Sequence, residues 1–166
     1  MQASTEGTRA LDAGAAPVSV HFVNNVLAAA ASYIEVEPET ARDVLADLGA
    51  FLSHRLRQRP AVGLAEELEH VATYVRLEQA RFPDRIEAEL PANNGLPAAR
   101  CAPGEVQVLV CRALDGWLQE RPGRVRLALR ARLDGETLEL QLDQPDDPGA
   151  PGRRVRIRLG QGGGAS

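Results

Sequence analysis

Two stretches of helical apolar spacing follow one another with only Val36-Glu37-Pro38 between them, and this closeness limits what the first third of the chain can become. In the first, Val18, Phe22, Val26, Ala29 and Tyr33 recur on one face of a helix over about residues 17–35, with Pro17 tolerable in its first turn. The second begins near Pro38, with Glu39 in its first turn, and carries Val44, Leu45, Leu48, Phe51, Leu52 and Leu56 on a wide apolar face. Arg55, Arg57 and Arg59 fall in its last turn, and Pro60 ends it. So short a connection makes the pair an antiparallel hairpin. Two helices cannot enclose a core alone. Both seams are apolar, so pairing with a second copy in a four-helix bundle is expected, the alternative being packing against the C-terminal half.

Downstream the period changes. A third helix is expected from about Leu64 to Phe82, with Leu64, Leu68, Val71, Val75 and Glu78 in register. Ile86, Ala88 and Leu90 alternate as a strand that Pro91 ends, and Ala92 to Pro97 is a loop. A fourth helix, about Pro103 to Glu120, carries Val106, Leu109, Val110, Ala113, Leu114, Trp117 and Leu118. Val125, Leu127, Leu129, Ala131 and Leu133 then alternate, as do Leu138, Leu140 and Leu142, with Asp134-Gly135 as a hairpin signal between the two runs. Val155, Ile157 and Leu159 make a last strand. The class is therefore α+β, a helical hairpin over residues 17–60 followed by an α/β layer over 61–160 with helices on one face of a mostly antiparallel sheet. Residues 1–16 and the Gly-rich 161–166 are expected to be disordered. Arg124, Arg126, Arg130 and Arg132, and then Arg154, Arg156 and Arg158, alternate with the apolar positions. Their shared face is either a solvated sheet surface or a docking surface for an acidic partner.

Composition removes several classes of function. The 166 residues suit one domain or two small ones, and a net charge of −4 argues against general nucleic-acid binding. All 19 cationic residues are Arg, so lysine chemistry is absent, and no phosphate-binding glycine motif occurs. Cys101 and Cys111 are too few and too widely spaced for zinc, and reduced thiols in a cytoplasmic protein are the simplest account. No signal peptide is visible, and the longest apolar run, Val26 to Ile34, is far too short to span a membrane.

His21, Asn25, Ala28 and Ser32 make a second, small and polar stripe on the first helix. An imidazole there, with an amide one turn on, keeps a neutral nitrogen near pH 7 and can be a nucleophile. Helix pattern alone equally allows a histidine that only packs or hydrogen-bonds. His54 and His70 read as surface residues, and no nucleophile, base and acid trio suggests hydrolysis.

Leu64-Ala-Glu-Glu-Leu68, Tyr74-Val-Arg-Leu-Glu78 and Gln79-Ala-Arg-Phe-Pro-Asp-Arg85 resemble, in order, the L-x-E-E-L, Y-L-x-I-E and R-F-x-D-R motifs that follow the phosphoacceptor of LytS-type sensor histidine kinases. His21-Phe22-Val23-Asn24-Asn25 is similar to that family's P-H-F-L-F-N. The match puts His21 on the phosphorylated histidine and Asn25 on its asparagine, with Val20 where the family has proline and Pro17 where it has glutamine. The resemblance covers about residues 17–90.

Further on, the layout resembles the family but the chemistry departs. Where the family reads L-V-E-N-A, its Glu and Asn holding Mg²⁺ and ATP phosphates, this chain reads Leu109-Val110-Cys111-Arg112-Ala113. A thiol and a guanidinium are not hard oxygen donors. Where the family has D-x-G-x-G, Asp143 is followed by Gln144-Pro145-Asp146-Asp147, and only a few residues separate Asp147 from the final strand, which leaves no room for a lid. The resemblance therefore implies a histidine-kinase ATPase-like sandwich without ATP binding, similar to dimeric histidine phosphotransferases of the ChpT kind. In those, phosphate passes through a histidine to or from a response-regulator receiver domain, which brings the Mg²⁺. Two alternatives stand beside this reading. One is a pseudokinase adaptor that binds a receiver or a true histidine kinase without phosphotransfer; the other is an ATP-dependent kinase.

Overall fold

The computed structural model describes residues 18–57, 59–92, 96, 98–120, 122–135 and 137–143, with the backbone alone of 153–158. The expected disordered ends, the Asn-Asn-Gly loop and the segment around Pro145 lie outside the described residues. The architecture is α+β. Helices α1 (Val20–Tyr33) and α2 (Pro38–Leu56) come first, then a short strand β1 (Val62–Gly63) and helix α3 (Leu64–Arg81). Strand β2 (Ile86–Glu89), the short β3 (Arg100–Cys101) and helix α4 (Glu105–Glu120) lead into β4 (Val125–Asp134), β5 (Thr137–Asp143) and β6 (Arg153–Arg158).

Local chemistry sets the helix ends. The Ser19 hydroxyl accepts from the Phe22 amide and starts α1, while Pro38 starts α2 with Glu39 in its first turn. The second helix stops at Leu56, a turn earlier than the arginine run implied, and Arg59 instead forms a two-pronged ion pair with Glu66. Val26 and Ala30 of α1 and Val44, Leu48 and Phe51 of α2 are buried against Leu68, Val71, Tyr74 and Val75 of α3. The hairpin thus rests on α3 as a three-helix layer, and the Tyr33 hydroxyl ties its far end to the Ala80 carbonyl. A different stripe stays in solvent: Val20, Leu27 and Ile34 on α1, and Leu45 and Leu56 on α2.

The sheet order is β2-β4-β5-β6. β2 and β4 run parallel with α4 in the crossover between them, and the other pairs are antiparallel. α4 covers one face, its Val106, Val110, Ala113, Leu114 and Trp117 sharing a core with Leu127, Leu129, Leu138, Leu140 and Leu142. Leu133, placed on the buried face by alternation, is 52% exposed, because the β4–β5 hairpin extends past the end of α4. The turn takes Gly135 at φ 58°, a conformation that suits glycine. The register sets Arg132 opposite Glu139, Glu139 opposite Arg156, and Arg130 opposite Gln141, as the alternation of arginines requires. A two-strand pair, Val62 with Cys101 and Gly63 with Arg100, was not legible, since two residues carry no period.

One polar knot joins the helical layer to the sheet layer. Glu67 is fully buried, and its carboxylate accepts from the amides of Gly104 (2.9 Å), Val106 (3.1 Å) and Gln107 (3.2 Å) at the start of α4. Burial pushes its pKa up against the pull of those amides and of Arg55. Gly104 sits at φ 80°, and a Cβ there would collide with the Arg55 guanidinium.

His54 and His70 are not surface residues. Their rings stack at 3.9 Å, and His70 stacks on Phe51 at 4.7 Å. His70 is buried, and His54 reaches towards Glu66 and Glu67 at 3.6 and 3.8 Å. The sequence reading failed because His54 precedes an arginine and His70 follows an acid, which looks like a solvated face; the packing of α2 on α3 overrides it. Burial, with help from His54 and Arg55, lowers the His70 pKa to about 3, and burial also lowers that of His54. A folded pKa below the unfolded value means stability is fully present above the unfolded pKa of about 6.5 and is lost as pH falls below it. We expect urea unfolding at pH 7.0 and 5.5 to show a loss approaching about 1.4 kcal/mol per pH unit for each histidine that stays neutral in the fold. His70→Phe, which keeps a ring in the stack, should flatten the slope by one proton. Equal slopes for the two proteins would show that His70 ionises freely in the fold.

Candidate functional site

His21 lies in the first turn of α1, two residues after the capping Ser19, and is exposed. Asn25 sits one turn on, with its side-chain amide nitrogen 3.3 Å from Nδ1 and 3.4 Å from Nε2 of the ring. The structure therefore brings together the two residues that helical spacing puts on one stripe. The amide lies within hydrogen-bond reach of both ring nitrogens and can orient the imidazole or donate to a group bound on it.

The imidazole borders a cavity of about 590 Å³ between the start of α1, the second half of α3 and the outer face of α4. This is within the size range of small-ligand sites. Phe22 and Tyr74, with ring centroids 5.6 Å apart, form part of its apolar wall, and Phe22 also lies 5.4 Å from Phe51. Arg81, Arg85 and Arg112 contribute guanidiniums, and Glu78 and Asp115 contribute carboxylates. The Arg81 guanidinium lies 5.5 Å from the Phe22 ring centroid and 5.0 Å from that of Phe82, and its Nη1 donates to Glu78 Oε1 at 2.7 Å. Arg85 donates to the carbonyls of Leu118 and Gly123 and so fastens the end of α4 to the loop after α3.

Burial raises the pKa of Glu78, with Arg81 pulling it down, and Glu78 Oε2 accepts no hydrogen bond among the described residues. Tyr74 is held protonated, first by burial and then by Glu78 and Cys111. The Cys111 thiol, 3.6 Å from Asp115 Oδ2, is pushed up to about 11, mainly by burial. The signal for Glu78 was present in the sequence: it is the one charged residue counted in the apolar register of α3. Nothing in the spacing alone placed Arg81 beside Phe22.

With this geometry described, the likeness to known proteins can be located. Residues 10–86 match the histidine kinase family model, a stretch that takes in α1 to α3 and the start of β2. The sensor protein LytS of Staphylococcus saprophyticus is 29% identical over 118 residues, 70% of this chain and 20% of that protein. The sensor histidine kinase BtsS of Escherichia coli is 29% identical over 130 residues, 77% of this chain and 23% of its own length. The sensor protein LytS of Oceanobacillus iheyensis is 33% identical over 105 residues, 62% of this chain and 18% of that protein. The chain spans about a fifth of the length of the curated relatives it matches. The part of the molecule that carries His21 and its cavity wall on α3 is thus similar in sequence to histidine kinases, the sensor proteins LytS and BtsS among them.

The motif resemblance set out above would put Mg²⁺ and ATP on α4, and the side chains at positions 111 and 112 are not a donor set for them. Position 111 offers a thiol kept protonated by burial, and position 112 offers a guanidinium. Among the described residues no group of three or more His, Cys, Asp or Glu side chains is placed to hold a metal ion. No described helix is long and apolar enough to cross a membrane.

Proposed function

We propose that this protein works in two-component signalling as a dimeric histidine phosphotransferase, relaying phosphate through His21 to or from a response-regulator receiver domain. The observation that carries this is the exposed His21–Asn25 pair at the edge of a guanidinium-bearing cavity, in the segment that matches the histidine kinase model. A donor that brings its own phosphoryl group and Mg²⁺ would need only a positioned imidazole from this chain. The adaptor reading, in which a receiver or a true kinase binds without transfer, differs in leaving His21 chemically unused.

Dimerisation rests on the exposed stripe. Val20, Leu27 and Ile34 repeat at seven residues along α1, the spacing of a coiled-coil seam, and Leu45 and Leu56 extend apolar surface along α2. A second copy supplies the same stripe to itself through a two-fold axis, which closes a four-helix bundle. Light scattering at micromolar concentration should report about twice the chain mass of 17.8 kDa. A monomer across that range would remove the bundle.

Calorimetric titration with Mg²⁺–ATP should give no binding heat up to millimolar nucleotide, on the ground of Cys111 and Arg112 on α4. A micromolar dissociation constant would restore the kinase reading.

Incubation with a labelled cognate receiver should leave acid-labile, base-stable label on the protein. His21→Gln should abolish that label and preserve the dimer and the melting temperature, because the side chain is exposed. Wild type that takes no label while still binding the receiver would make the protein an adaptor.

A further inference from the structure

We propose that Arg81, with Arg112 on the α4 wall, forms a phosphoryl-binding subsite for His21, an inference that rests on the phosphotransfer reading and gives the cavity its ligand: the dianionic phosphoryl group. Four guanidiniums line the cavity against two carboxylates, so an acidic protein presents a cationic recess next to its candidate nucleophile. Two of the four have structural duties. Arg85 holds carbonyls at the end of α4, and Arg55 lies against the Glu67 knot.

Arg81 is built differently. Its side chain is 16% exposed, its plane is held near two aromatic rings, and Glu78 fixes one edge. Phe22, one of those rings, directly follows His21 in α1. A guanidinium has five N–H donors in a rigid fork, so the bond to Glu78 leaves donors for phosphoryl oxygens. Such a preorganised cation stabilises charge without rearranging during the reaction. Glu78 is a positioning residue here, acting through Arg81.

The step balances without a further reactant. The lone pair of the neutral His21 ring nitrogen attacks phosphorus as the bond from phosphorus to the receiver's aspartyl oxygen breaks. The aspartyl group leaves as carboxylate with the electron pair. The ring keeps its other N–H, so a phosphoimidazolium forms beside the guanidiniums, and the reverse step returns the phosphoryl group.

Two measurements separate this subsite from the reading beneath it. In the first, wild type, Arg81→Gln, Arg81→Lys and Arg112→Gln are compared for the rate of label transfer from a phosphorylated receiver and for receiver affinity. Arg81→Gln should slow transfer by about a hundredfold, as when one preorganised charge-stabilising donor is lost. Receiver affinity should change less than about threefold, since the Arg81 side chain is 16% exposed and offers a docking partner little of the roughly 800 Å² that each side of an ordinary interface buries. Arg81→Lys should restore only part of the rate because the fork is lost, and Arg112→Gln should have a smaller effect. An unchanged rate in Arg81→Gln, or a rate that falls only in step with receiver affinity, overturns the subsite.

In the second, inorganic phosphate is titrated into wild type and Arg81→Gln and followed by NMR at the His21 ring and the Arg81 side chain. Millimolar phosphate should shift both signals in wild type and leave His21 unmoved in the variant. Phosphate binding at Arg81 in a protein that accepts no label would sink the phosphotransfer reading and keep the anion site. Label transfer without any phosphate shift, at a rate indifferent to Arg81, would do the opposite.

Discussion

The contact on which the rest of the molecule depends is the buried carboxylate of Glu67 against the first amides of α4. A helix start leaves amide hydrogens without partners in the helix, and in a buried place they must be satisfied from elsewhere. Here the acceptor comes from another layer of the fold, and three amides converge on one side chain. The bond fixes where α4 begins relative to α3, and α4 forms the far wall of the cavity beside His21. Arg55 adds the end of α2 to the same point, and Gly104 gives it room. Removing the carboxylate would strand three buried donors, each a penalty of about 1–3 kcal/mol, so this part of the fold has little freedom to drift.

Much of this architecture could be read from the residues. The two adjoining helical periods appear as α1 and α2, and the alternation from Val125 to Leu142 appears as strands with the expected faces over most of their length. Long amphipathic segments are legible because burial imposes their period. What escaped has a different origin. His54 and His70 lie among charged neighbours, and their burial arises where α2 packs on α3, which no local pattern encodes. Leu133 kept the right parity but lies beyond the reach of α4. The pairing of β1 with β3 joins two dipeptides nearly forty residues apart, too short to show a period.

The candidate site was legible in part. Helical spacing alone put His21 and Asn25 on one stripe, and the structure brings their side chains into contact. The cavity beside them was not foreseeable, because its walls come from all four helices. Glu78 was the nearest signal: an acid in an otherwise apolar register is either an error of register or a buried partner. It is the second, tied to Arg81. The substitutions on α4 fit the same picture. Where the resemblance leads one to expect an acid and an amide, the chain places a thiol that burial keeps protonated and a guanidinium, both on the wall of the cavity.

The parallel pairing of β2 with β4 bears on how the molecule assembles. β4 and β5 are neighbours in sequence and can zip together locally, whereas β2 meets β4 only after the chain has travelled through β3 and the whole of α4. Closing so large a loop loses chain entropy before any ladder bond returns it, so contacts of this kind form late. The helical layer and the β4–β5 hairpin can each begin to form alone, and β2, continuous with α3, is the stitch that joins them. A nascent chain released before α4 is complete would hold its hairpin and α3 with the edge of β2 still open to pairing by another molecule.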